Sequence, residues 1–290
     1  MPQDLRSYHD ALAVARPEGG PVHRMRLAFI GYGAIGRAVG KLIREGAAGA
    51  VDVTGVLVRH PENYVQEAAA TSWPFTSSIV ELLSADPRVV VDLAGHESLR
   101  MYGSVILRSG RTLVTIAAGA LSDDALAAEL ADAAAAGGSR MVMPSGAIAG
   151  LDGIESAALA GLDQVTHTVR KPPGALLTPY EAAEVMASGQ ARELYRGPAR
   201  EATVLFPQNV NVVAMVSLAG IGMDRTEVRV VADPAVEHNT HDVMASGPSG
   251  TIEIRVRNVP SIENPKTGMI VAPSVIRALR RLDATLVLGG

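Results

Sequence analysis

From Met25 the chain opens with the apolar run MRLAFI, of a length that suits a buried strand. Glycines follow, and then apolar residues at Ile35, Val39, Leu42 and Ile43, the spacing of a single helix face. This reads as strand, turn, helix. VDVTGVLVRH continues as a second strand, SSIVELLSADP as a short helix, RVVVDLAGH as a third strand that His96 closes, ESLRMYGSVILRSG as a helix ending on Gly110, and RTLVTIAAG as a fourth strand. SDDALAAELADAAAAGG begins on Ser and Asp, carries acids in its first turn and stops on paired glycines, which are helix start and stop signals. SRMVMPSGAIAG is a fifth strand running into a glycine-rich turn. Runs rich in β-branched residues that alternate with helices in this way predict parallel strands joined by right-handed crossovers, a doubly wound sheet.

Beyond residue 145 the pattern changes. VTHTVRKPP, TEVRVVADP and GTIEIRVRNVP alternate polar with apolar and lie closer together, which predicts a second, α+β domain with a mostly antiparallel sheet solvated on one face. The expected organisation is an N-terminal extension over 1–24, a nucleotide-binding domain over 25–145, a substrate and dimerisation domain over 146–262, and a C-terminal segment over 263–290 whose helical SVIRALRRL folds back on the first domain.

The turn after the first strand is GYGAIG. Gly31 permits the tight turn, Gly33 lets backbone approach a pyrophosphate, and Gly36 lets helix pack on strand, while Ala34 and Ile35 open a helix whose N–H groups face the phosphate. In a chain with 29 glycines the motif is weak alone, but its strand–turn–helix setting points to a Rossmann-type domain that binds NAD or NADP. The end of the second strand, where an acid would take the ribose 2′-hydroxyl, carries Arg59 and His60 instead. Arg59 is therefore a candidate for a 2′-phosphate, and NADP is expected to be accepted at least as well as NAD. The alternative is an ordinary solvated strand end.

Composition narrows the remaining classes. Apolar residues make up 48%, charged residues 19% and aromatics 3%, with a net charge of -4. No basic stripe or stacking platform of a nucleic-acid binder stands out. The absence of cysteine excludes disulfides, thiolate metal sites and a cysteine nucleophile. No apolar run approaches the roughly 18 residues that span a bilayer, and the first 24 residues lack a secretory core, so a cytoplasmic protein without membrane or nucleic-acid partners is expected.

VEHNTHDVM, Val236 to Met244, sets His238 and His241 three residues apart. A metal site would need further good ligands and nothing like HExxH is present, so no metal is expected. No serine lies in a GxSxG elbow. Two readings stay open: a pair of loop histidines, or one histidine serving as general acid and base beside a nicotinamide, since an imidazole with an ordinary pKa of about 6.5 works in both directions near neutrality.

Over nearly its whole length from Met25 the chain resembles L-aspartate dehydrogenases. The segments GYGAIG, PSGAIAGLDGIESA, VRKPPGAL, FPQNVNVVAMVSLAGIG, VADPAVEHNTHDV and VPSIENPKTGMIVAPSVIRALRRL carry the resemblance, in the family's order. It implies a homodimer that oxidatively deaminates L-aspartate with NAD or NADP. The product would be iminoaspartate, which hydrolyses to oxaloacetate and ammonia or feeds NAD biosynthesis. It also implies His241 as the catalytic histidine and Ala147 and Asn211 as cofactor contacts, with Asn209 the alternative two residues earlier. AAGAL at Ala117 to Leu121 departs from the family's SVGAL and puts a serine contact to the cofactor in doubt.

A substrate with two carboxylates needs cations. Arg170, Lys171 and Lys266 are the candidates, with Lys266 preferred and Asn264 orienting it. Asp242, next to His241, would point to the opposite face of a strand. Two alternative functions stand beside this one. The first is another two-domain dehydrogenase or reductase acting on a hydroxy or oxo acid, homoserine- or dihydrodipicolinate-like. The second is a non-catalytic NAD(P)-binding sensor.

Overall fold

The computed structural model describes residues 24–207, 210–261 and 267–289. Along the chain run β1 (Met25–Ile30), α1 (Ala34–Arg44), β2 (Val51–Leu57), α2 (Val65–Thr71), β3 (Phe75–Thr76), α3 (Ile79–Ser84), β4 (Val89–Asp92), α4 (His96–Arg108) and β5 (Thr112–Thr115). A 3-10 turn at Ala118–Ser122 precedes α5 (Asp124–Gly137) and β6 (Met141–Val142). Then come α6 (Leu151–Leu159), β7 (Gln164–Lys171), α7 (Pro179–Ser188), β8 (Arg192–Pro198), α8 (Ala199–Leu205) and α9 (Val210–Ala219). Last are β9 (Glu227–Ala232), β10 (Thr240–Gly247), β11 (Gly250–Arg257) and α10 (Val271–Leu282). No helix among the described residues is long and apolar enough to cross a membrane.

Two compact units result. The first takes the described residues up to Ile116, Glu129–Pro144 and the chain from Ala272 onward; the second takes Ala117–Ala128 and Ser145–Val271. The first holds a six-stranded sheet ordered β3-β2-β1-β4-β5-β6 with every pairing parallel, the doubly wound arrangement that the alternating elements predict. Its centre is apolar because a parallel strand is covered on both faces: Leu27 and Phe29 of β1, Val39 of α1, and Val275 and Leu279 of α10 are all buried in one cluster.

His96 does not close a strand. The third strand stops at Asp92, whose carboxylate accepts the Ala94 N–H at 3.1 Å and the Ser98 hydroxyl at 2.5 Å, while Gly95 takes φ +111°. Local hydrogen bonds to a carboxylate turn the backbone into α4 at once, and His96 is that helix's first residue. The fifth strand is also shorter than its apolar run, holding only Met141 and Val142 ahead of Pro144.

The second unit carries a five-stranded sheet ordered β11-β10-β7-β9-β8, antiparallel except for the parallel β7–β9 pair. Its inner face is set by register. His241, Val243 and Ala245 of β10 stand opposite Val169, His167 and Val165 of β7, and Val243, Ala245 and Val165 pack in one cluster with Ile154 of α6 and Val216 of α9.

Candidate active site

The glycine turn of the first unit has the shape that a dinucleotide requires. Gly31 sits at φ +84°, and a Cβ there would lie 2.8 Å from the Ala94 Cβ. A Cβ on Gly36 would come within 2.8 Å of the Gly31 carbonyl oxygen, so α1 packs directly on the turn. At Gly33 a Cβ would meet nothing within 4 Å. Gly33 is the N-cap of α1; it supplies no side-chain cap, and no acid occupies the first turn. Ala34 and Ile35 are the first two helical residues, so their N–H groups have no intrahelical acceptor. Open space before an uncapped helix N-terminus suits a diphosphate, and the residues present fit a dinucleotide cofactor. Behind the turn Tyr32 is held edge-on by Phe75 at 5.3 Å and by Trp73 at 6.0 Å between ring centroids.

Arg59 lies just past β2, and its guanidinium pairs with Glu97 of α4 at 2.8 Å. Both side chains are largely exposed, 82% and 74%, so the pair is weak and easily exchanged. Glu97 gives this end of the sheet an acid as well as a base, a feature that the strand-end sequence does not reveal because the acid comes from a different βα connection.

The two histidines of VEHNTH part company. His238 is exposed in the turn before β10, whereas His241 is the second residue of that strand and is wholly buried. Its Nδ1 lies 3.0 Å from Nε2 of His167 on β7, and its Nε2 lies 3.2 Å from Nδ2 of Asn239. Burial, and then the charge of Lys171, lower the His241 pKa to about 4, with Asp242 opposing. His167, also wholly buried, is pushed well below the ordinary histidine range by burial and by His241. Both rings are therefore neutral at neutral pH.

Lys171 ends β7 two residues beyond Val169 and so shares the face that carries His167 and His241. It is buried, and burial lowers its pKa. Arg170 points the other way: its Nε donates to Asp242 at 3.0 Å and its Nη1 to Asp233 at 3.0 Å. Asp242 also accepts from Arg255. With both edges of its guanidinium engaged by carboxylates on the opposite face, Arg170 is removed from the candidates for a substrate carboxylate.

Ala147 follows Gly146, which takes φ +64°, and the Ala147 carbonyl accepts the Asn258 amide at 2.9 Å. Asn211, in the first turn of α9, accepts the Gly119 N–H at 2.9 Å through Oδ1. Asn209, Asn264 and Lys266 lie outside the described residues, as does the N-terminal extension up to residue 23. His167 and Asn239 carry no signal of their own in the sequence. The alternation in VTHTVRK puts His167, Val169 and Lys171 on one face, but only the β7–β10 register brings His167 to His241.

A family model described as aspartate dehydrogenase, C-terminal, matches residues 152–282. One described as homoserine dehydrogenase, NAD binding domain, matches residues 31–144. An L-aspartate dehydrogenase 2 of Bordetella bronchiseptica is 40% identical over 274 residues, covering 91% of this chain and 99% of the relative. The L-aspartate dehydrogenase of Pseudomonas aeruginosa is 38% identical over 259 residues, covering 88% and 96%. Among solved structures, the aspartate dehydrogenase of Thermotoga maritima superposes with a TM-score of 0.75 at 26% identity, covering 92% of this chain and 100% of that one.

Proposed function

The chain belongs to the L-aspartate dehydrogenase family, and from that premise we propose that it oxidatively deaminates L-aspartate with NAD or NADP, reversibly, as a cytoplasmic homodimer, with His241 carrying the protons. The observation behind the proton assignment is a wholly buried imidazole that shares its sheet face with Lys171.

A bound nicotinamide supplies the acceptor for the hydride that leaves Cα. Hydride departs only when the amine is neutral, because the nitrogen lone pair must stabilise the developing iminium. Aspartate arrives as an ammonium, so a base must take one proton first. Nε2 of His241 is that base in this reading: Nδ1 is held by His167 from the neighbouring strand, while the Asn239 amide beside Nε2 can turn its Oδ1, unpartnered among the described residues, towards the proton that Nε2 gains. A pKa of about 4 keeps the ring unprotonated and receptive in neutral water, but makes it a weak base. Substrate acts on the second of the two causes, the charge of Lys171. Aspartate brings two carboxylates; Lys171 takes one of them, and the added negative charge offsets the lysine's effect on the imidazole, which becomes more basic as substrate loads. Lys266, oriented by Asn264, is the candidate for the second carboxylate. After oxidation the same ring helps water add to the imine and protonates the departing ammonia, giving oxaloacetate. In reverse it protonates the hydroxyl lost from the carbinolamine.

Aspartate, glutamate, alanine and malate assayed with NAD and NADP test the substrate assignment. Turnover is expected with aspartate alone, and with NADP at least as well as NAD if Arg59 takes the 2′-phosphate. Activity on a hydroxy acid, or tight NADPH binding without any turnover, would replace the assignment by one of its alternatives. His241→Ala should lower kcat by about 10²–10⁴-fold, the usual worth of acid–base catalysis, with NADPH affinity unchanged. His238→Ala should remain near wild type; the opposite pattern would move the proton carrier to the turn.

A further inference from the structure

We propose that His167 is a positioning residue: it accepts the Nδ1–H of His241, fixes that ring in one tautomer and leaves Nε2 as its only proton-transfer atom. The inference rests on His241 being the proton carrier and adds a second histidine to it.

Geometry carries it. The two rings meet Nε2 to Nδ1 at 3.0 Å, with centroids 5.1 Å apart, across the β7–β10 pair. Nδ2 of Asn239 stands 3.2 Å from Nε2 of His241, and in that orientation the amide donates to a lone pair on Nε2; the Oδ1 of the same amide is buried with no hydrogen-bond partner among the described residues. With the amide so oriented, the proton of neutral His241 is on Nδ1, and the nitrogen facing it, Nε2 of His167, accepts. When His241 takes a second proton, Nδ1–H remains where it was and its bond to His167 becomes charge-assisted. One acceptor therefore serves both forms of the ring.

The cost of this arrangement argues against a packing role. His167 lies between Val165 and Val169 on the face that also carries His241 and Lys171, and its Nδ1 is buried with no hydrogen-bond partner among the described residues. A leucine or valine there would fill the same space without stranding a polar atom away from water. The unpartnered Nδ1 also separates positioning from relay. A proton passed from His241 to His167 would find no further acceptor, so His167 orients its neighbour and does not conduct. The charged groups that bear on His241 are Lys171 and Asp242; its Nδ1 faces His167.

His167→Leu removes the acceptor, whereas His167→Gln offers an amide oxygen at about the reach of Nε2. We expect His167→Leu to lower kcat for aspartate oxidation at least tenfold, within the roughly 10²–10⁴-fold ceiling for acid–base catalysis, while KM for aspartate and NADPH affinity stay within about twofold. The acid limb of its pH–rate profile should move to lower pH, because the imidazolium loses its charge-assisted bond, and His167→Gln should restore most of both effects. A His167→Leu enzyme with wild-type kcat and an unaltered profile would overturn the proposal while leaving His241 as proton carrier. A fully active His241→Ala enzyme would instead remove the reading beneath it. Nitrogen-15 NMR of the wild-type imidazoles decides the matter even if the leucine variant does not fold: His241 protonated on Nδ1 is the expected result, and protonation on Nε2 would refute it.

Discussion

An added methyl group at Gly33 would meet nothing within 4 Å, whereas at Gly36 it would press on a backbone oxygen 2.8 Å away. The two substitutions therefore separate binding from folding. Gly33→Ala should change unfolding free energy by no more than about 1 kcal/mol, since only a cap residue alters, yet weaken NADPH binding at least tenfold by filling the space of the diphosphate. Gly36→Ala should lower stability by about 1–3 kcal/mol, the range for overpacking. Denaturant titration and a direct binding measurement on each variant check this, and equal loss of stability in both would refute it. These glycines are legible in the sequence because their constraint is local, being met within six residues. His241 stands out through its motif and the family resemblance, whereas Lys171 is in the sequence only one of three cationic candidates, beside Arg170 and Lys266. His167 does not stand out, since the atom that gives it meaning is 74 residues away. Arg170 and Lys171 look equivalent as letters; the pleat sends one to the acids Asp233 and Asp242 and the other to the face of His241.

Among the elements, α10 shows how a distant segment completes a core. Ala272, Val275, Ile276 and Leu279 of this helix lie in the same buried cluster as Leu27 and Phe29 of β1. Leu279→Ala should cost about 2–5 kcal/mol, the usual price of a large-to-small change in a packed core. NADPH should protect the variant against heat by mass action. A loss below about 1 kcal/mol in thermal or chemical unfolding would show the helix to be dispensable. Long elements can be read directly: α1 from its apolar spacing, α4 from the glycine that ends it, and α5 from its acidic start and paired glycines. Short ones cannot: β3 has two residues, and β8 is an edge strand whose charged residues include Arg192, Glu193 and Arg196. Edge strands carry charge to discourage further pairing, and this erases the alternation that announces a strand. The excursion Ala117–Ala128 is equally silent in the sequence, although Asn211 ties it to α9 through Gly119.

For the molecule as a whole, two buried titratable groups give the two units opposite responses to acid. His241 binds its proton less readily in the folded state, its pKa falling to about 4 through burial and then Lys171. The stability associated with its neutral form is complete above about pH 6.5 and is lost as pH falls towards 4. Asp92 behaves inversely: burial raises its pKa to about 6 against hydrogen bonds from Ser98, Ala94 and Thr115, so its contribution is fullest below its ordinary value of 3.8 and is lost as pH rises through 6. Between pH 7 and 4.5 the stability of wild type relative to His241→Asn should decrease, and that of wild type relative to Asp92→Asn should increase, each by up to roughly 2–3 kcal/mol at about 1.4 kcal/mol per pKa unit. Parallel slopes in chemical unfolding would contradict the assignment.

The partition of the chain also bears on its synthesis. Because the nucleotide-binding unit draws its last buried residues from Val275, Ile276 and Leu279, its interior stays open while the ribosome is still reading the other unit, and closes only once the final helix has cleared the exit tunnel. A nascent chain stalled ahead of that helix would display a parallel sheet with an uncovered apolar side, the kind of surface that chaperones bind.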